Sequence, residues 1–154
     1  MNTKVVKIFF AVGLLVMLMG VGANGQSLKL KANIPFDFTY GDVVMPAGEY
    51  DLMKLNMLSA GVFQIRDEAG KNTAVRNVMT QIARNNIPTE SVLIFNRYRG
   101  SGGEVSYFLS QVWVAGSDRG FEFFKHRSER ELMKRMATRD IITIVVKRVN
   151  PATE

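Results

Sequence analysis

The chain has 154 residues, a formal net charge of +6, one histidine and no cysteine. That length supports one domain with a single sizeable core. The missing cysteines exclude disulfides, and with only one histidine they exclude zinc, copper or haem sites built on thiolate and imidazole ligands.

The first predicted element is a leader. Lys4 and Lys7 form a positive start, an uncharged apolar run from Ile8 to Val21 follows, and Ala23-Asn24-Gly25 offers small residues at both positions a signal peptidase reads. The apolar run is shorter than the roughly 20 residues needed to span a bilayer. Residues 1–25 are therefore expected to be a cleaved signal peptide, with Gln26 as the first mature residue and 26–154 as a single domain. No cysteine follows the run, so the leader carries no lipid-attachment signal. Lys4 and Lys7 leave with it, and the net charge falls from +6 to +4. The expected location is outside the cytoplasm, periplasmic or extracellular.

The mature region alternates as β structure does. Leu28, Leu30, Ala32 and Ile34 are apolar at every second position, and Phe36, Phe38 and Tyr40 continue the pattern after Pro35. Gly41-Asp42 fits a two-residue hairpin with Gly where φ must be positive. Met45-Pro46-Ala47-Gly48 fits a type I turn. Further strands are predicted at about 50–56, 61–66, 73–83, 91–98, 104–115 and 140–149. Glu68-Ala69-Gly70-Lys71, Asn85-Asn86-Ile87-Pro88 and Gly100-Ser101-Gly102-Gly103 separate several of them. The spacing predicts a mainly β fold, a single antiparallel barrel or sandwich.

One helix, at about 128–137, is predicted before the last strand. Ser128-Glu129-Arg130-Glu131 has the spacing of a capping box, with Ser128 as N-cap. Leu132, Met133, Met136 and Ala137 fall on one helical face, which is expected to pack on the barrel or sandwich. The last strand, Ile141 to Val146, is apolar on both faces and calls for cover on both sides. The helix is the candidate for one of them.

Candidate chemistry is sparse. His126 lies between Lys125 and Arg127, which disfavour a protonated imidazole and repel a metal ion; as a general base it would need Glu122 or Glu129 to orient it. Asp37, Asp42, Glu49 and Asp51 cluster near the first hairpin, and paired carboxylates across a cleft can hydrolyse glycosides. Each of the four also has a plain role in a turn or on a polar strand face. Gly100–Gly103 is too short for a phosphate loop or a nucleophile elbow. No catalytic residue, cofactor or metal is assigned.

Charge is more informative. Residues 125–139 hold six basic side chains against Glu129 and Glu131, and so carry the whole mature net charge. Arg127, Arg130, Lys134 and Arg135 are the candidate contacts to an anionic envelope surface; the competing account is a solvated helix face with pairs such as Glu131 to Arg135. Nucleic acid is not an expected partner, because the aromatic residues do not interleave with the basic ones. Tyr98, Tyr107, Phe108 and Trp113 fall on neighbouring strands, as core pairs or as the lining of an open barrel that takes a small apolar ligand.

The stretch Ile34-Pro35-Phe36-Asp37-Phe38-Thr39-Tyr40-Gly41, with Pro46-Ala47-Gly48-Glu49-Tyr50, resembles the opening of a group of small exported bacterial proteins best represented in soil acidobacteria. Phe95-Asn96-Arg97-Tyr98, the run Tyr107 to Trp113 and the Ser128-Glu129-Arg130-Glu131-Leu132 helix start are similar too, so the likeness covers most of residues 32–135. These are turn and core signatures. The resemblance implies export and a single β domain and carries over no functional residue. The expected function is that of an exported non-enzymatic binding or structural protein. The alternatives are a hydrolase with carboxylates in an open cleft and a small outer-membrane barrel, which would need strands of about 9–11 residues with an outward apolar band.

Overall fold

The computed structural model describes residues 28–55, 61–135 and 138–149. The expected signal peptide lies outside the described residues, as do Met136 and Ala137 of the expected helix. The strands are β1 (Lys29–Ile34), β2 (Phe38–Tyr40), β3 (Val43–Met45), β4 (Gly48–Leu55), β5 (Val62–Asp67), β6 (Thr73–Ala83), β7 (Ser91–Arg99), β8 (Val105–Trp113), β9 (Arg119–Phe123) and β10 (Thr138–Val149). The helix α1 (Arg127–Lys134) precedes the last of them.

Eight of the strands close a barrel in the order β8-β7-β10-β1-β4-β5-β6-β9, with β9 returning to β8. Every pairing around this ring is antiparallel. The β2–β3 hairpin hangs on the outer end of β8, where Thr39 meets Phe108 in a parallel contact. Its turn is the expected Gly41-Asp42, with Gly41 at φ +68°.

An eight-stranded barrel is just wide enough for side chains to fill it. The alternating residues do so: Leu30, Ile34, Leu52, Phe63, Ile65, Leu93, Phe95 and Val112 are fully buried in one cluster. Aromatic rings meet edge to face there, Tyr40 on Phe123 at 5.0 Å and Phe38 on Phe95 at 5.4 Å, as ring quadrupoles favour. The Tyr40 hydroxyl donates to the Phe63 carbonyl at 3.2 Å, and burial pushes its phenol far above the usual range. Phe36 packs against this cluster, stacked on Tyr107 at 4.0 Å.

β8 carries a bulge. Phe95 pairs with Leu109 but Ile94 with Gln111, so Ser110 is extra. The extra residue reverses the alternation, and Leu109 and Val112 both reach the core. Trp113 is thereby turned to the other side of the strand. There it lies against Gly120, donates Nε1–H to Gln111 Oε1 at 3.0 Å and is covered by the Arg84 guanidinium at 3.9 Å.

Two expectations for the C-terminal part are corrected. β10 is not covered on its outer face: Ile141 and Val145 are 60% and 56% exposed. The reason is that α1 lies instead over β7, where Glu129 meets Asn96 and Tyr98. Nor, among the described residues, does the helix dock through an apolar stripe. Leu132 is half-buried, Met133 is exposed, and the one buried side chain of α1 is Glu129.

Candidate functional site

The helix starts differently from its sequence signature. His126, in extended conformation, is the N-cap, and its Nδ1 accepts from the Ser128 N–H at 3.3 Å. Ser128 is the second helical residue, with its Oγ 2.9 Å from the same Nδ1. Glu131 does not reach back to Ser128. It accepts from Arg127 Nε at 2.9 Å, one turn away, and the Arg127 guanidinium holds its carboxyl below the usual range. An i,i+4 ion pair has therefore displaced the capping box.

Beneath the helix the Glu129 carboxylate is 4% exposed. Its Oε1 accepts from Asn96 Nδ2 at 2.8 Å and from the Tyr98 hydroxyl at 3.1 Å, both on the outer side of β7. Burial, then the Glu129 charge, pushes the Tyr98 phenol up to about 12. A buried carboxylate with two short donors fixes which side of α1 faces the barrel.

That orientation presents the basic residues. Arg127, Arg130, Lys134 and Arg135 are all exposed, and their spacing places them on the side of the helix away from Glu129. Arg127 is paired with Glu131, whereas Arg130, Lys134 and Arg135 form no ion pair among the described residues. Arg130 and Arg135 open onto different hollows, the first beside Lys125 and His126, the second beside Thr39, Ser106 and Phe108. Phe124, just before the helix, is 62% exposed. Nothing in the sequence singled it out, because Phe121, Phe123 and Phe124 look alike without knowing which alternate into the core.

Of the four N-terminal carboxylates, Glu49 and Asp51 line one hollow with Lys31 and Arg66, and Asp37 and Asp42 lie outside it. Asp37 accepts from the Ala47 N–H at 2.8 Å, Asp42 pairs with Arg76, Glu49 with Lys31 and Asp51 with Lys29. His126 is engaged by Ser128, and of the two carboxylates considered for orienting it, Glu122 and Glu129, Glu129 is turned under the helix and committed to Asn96. Tyr98, Phe108 and Trp113 lie outside the barrel lumen, and Tyr107 stacks on Phe36, so these four do not line an interior pocket. No family model, curated protein or solved structure matches the chain.

Proposed function

We propose that the chain is an exported, non-enzymatic binding protein of the cell envelope that meets anionic surfaces through the exposed side of α1. Export after cleavage near Gly25-Gln26 follows from the leader and agrees with the resemblance to small exported bacterial proteins. The observation that supports surface binding most directly is the division of labour on α1. Its buried anchor is acidic, while Arg127, Arg130, Lys134 and Arg135 remain exposed beside Phe124. The packing of the barrel supports an outer surface over a lumen, since the lumen is filled by its own side chains.

The polarity of the barrel also separates this reading from an outer-membrane barrel. That class is apolar outside, whereas here the ion pairs Lys29–Asp51 and Lys31–Glu49 lie on the outside, next to scattered apolar residues such as Ile141 and Val145, and the large apolar cluster lies inside.

Each basic residue close to an anionic membrane contributes about 1 kcal/mol, screened over about 8–10 Å at physiological salt. The test is cosedimentation with anionic vesicles at low and high salt, with neutral vesicles as control. Salt-sensitive binding, lost when Arg130→Glu is combined with Lys134→Glu, is expected. Indifference to anionic vesicles at low salt, or no effect of the double variant, would overturn the reading.

A further inference from the structure

At the start of α1 the fold gathers cations that are far apart in sequence. A cavity of about 300 Å³ is bounded by Arg76 of β6, by Lys125 and His126 of the connector, and by Arg127 and Arg130 of the helix. Gly41, in the β2–β3 turn, lines it too. The guanidinium of Arg76 lies directly on that glycine, where any Cβ would collide with it. Positive φ favours Gly at this position, and the Arg76 guanidinium occupies the space a side chain would take.

The charges in and around this cavity do not cancel. Arg76 pairs with Asp42, and Arg127 with Glu131. Lys125 and Arg130 have no ion-pair partner among the described residues, so two positive charges are uncompensated. Arg76 is also incompletely satisfied, since its Nε is buried with no acceptor. His126 lines the cavity as well, with its Nδ1 taken by the Ser128 N–H. The N-terminal end of a helix adds to the positive potential.

Two uncompensated charges and donors arriving from three elements suit a compact dianion with several acceptor oxygens. A carboxylate has one charge and two oxygens; a phosphate monoester has two charges and three terminal oxygens. The exposed ring of Phe124 lines the same cavity and offers apolar contact to whatever carries the phosphate.

We infer that the cavity between the Gly41 turn, Arg76 and the start of α1 is a binding site for a phosphate monoester group. This rests on the reading of α1 as an anion-facing helix and sharpens it from a diffuse attraction to a discrete site.

The source of the phosphate, a lipid headgroup or a soluble monoester, is separable by experiment. The full mature protein is mixed with vesicles of phosphatidic acid or phosphatidylglycerol in a neutral lipid, matched in surface charge, at about pH 8, where the monoester is dianionic. Glycerol phosphate is titrated separately by calorimetry. Arg76 is outside α1, so Arg76→Ala leaves the helix face intact; Lys125→Ala is the second variant, and thermal melts confirm that each folds.

The expected result is a preference for phosphatidic acid on the order of tenfold, equivalent to one charge-assisted hydrogen bond. Either variant should abolish that preference while binding to phosphatidylglycerol persists. Equal binding of wild type to both lipids would overturn the site and leave the surface reading standing. Should neither vesicle bind, the surface reading fails, and the glycerol phosphate titration decides the site alone. Saturable binding weakened by Arg76→Ala would support the site for a soluble monoester, and no binding would overturn it.

Discussion

Burying the Glu129 carboxylate carries a desolvation cost that only good hydrogen bonds offset. Asn96 and Tyr98 supply them from 33 and 31 residues away. Glu129→Ala would leave two buried donors without their acceptor, so it should cost roughly 1–3 kcal/mol in urea melts. Glu129→Gln keeps a carbonyl oxygen in place of Oε1 and should cost less. Glu129→Gln should also lower the pH at which Tyr98 ionises, because the carboxylate charge contributes to holding its phenol up near 12. The sign follows from linkage: a folded pKa above the unfolded value near 10 stabilises the protein below pH 10, and that contribution is lost as pH climbs toward 12. Alkaline absorbance titration of the tyrosines measures this directly. Equal costs for Ala and Gln, with no change in the titration, would mean that the network does not hold the helix. The exposure of Arg127, Arg130, Lys134 and Arg135 was legible from helical spacing alone. The role of Glu129 was not, because local pattern marks it only as one member of the charged run Glu129-Arg130-Glu131, and its partners are long-range.

At the level of elements, long strands with steady alternation were legible: β4 to β8 and β10 fall near their expected positions. β9 was missed because Arg119–Phe123 is five residues long and contains Gly120, too little for a period to register. The bulge at Ser110 was hidden for a related reason, since alternation assumes that parity never changes along a strand. The helix was foreseen as an element but misread at its first turn. Ser-x-x-Glu spacing is shared by a capping box and by an ordinary first turn, and here the side chain one residue before α1 takes the capping role. The two arrangements predict different mutational costs. Ser128→Ala should change stability by less than about 0.5 kcal/mol, as exposed substitutions do. His126→Ala removes the acceptor for the Ser128 N–H and should cost about 1 kcal/mol, the usual value of an N-cap. A larger loss for Ser128→Ala than for His126→Ala in denaturant melts would restore the capping box.

For the whole molecule, sequence alone did not distinguish barrel from sandwich. The same strands can be stacked or rolled, and what decides is a pair of contacts remote in sequence, β6 with β9 and β1 with β10. The second closure is slender. β10 lies along β7 from Thr138 to Val146 but, among the described residues, meets β1 through Lys147, Arg148 and Val149 alone. β1 in turn has β4 along its full length. Hydrogen exchange should therefore report a weak segment: amides shared by Lys29–Lys31 and Lys147–Val149 should lose protection together, at a lower opening free energy than those of Leu93 and Phe95 within β7. Exchange at the β1–β10 junction as slow as in β7 would contradict this. The ring is joined between its first and last described strands, the contact with the longest intervening chain. Loop-closure entropy opposes that contact until the strands between are already in place. The nascent chain must accordingly pass through an open, curved sheet whose apolar face is unsealed until β10 arrives, and closing the circle is the last step of its folding rather than the first.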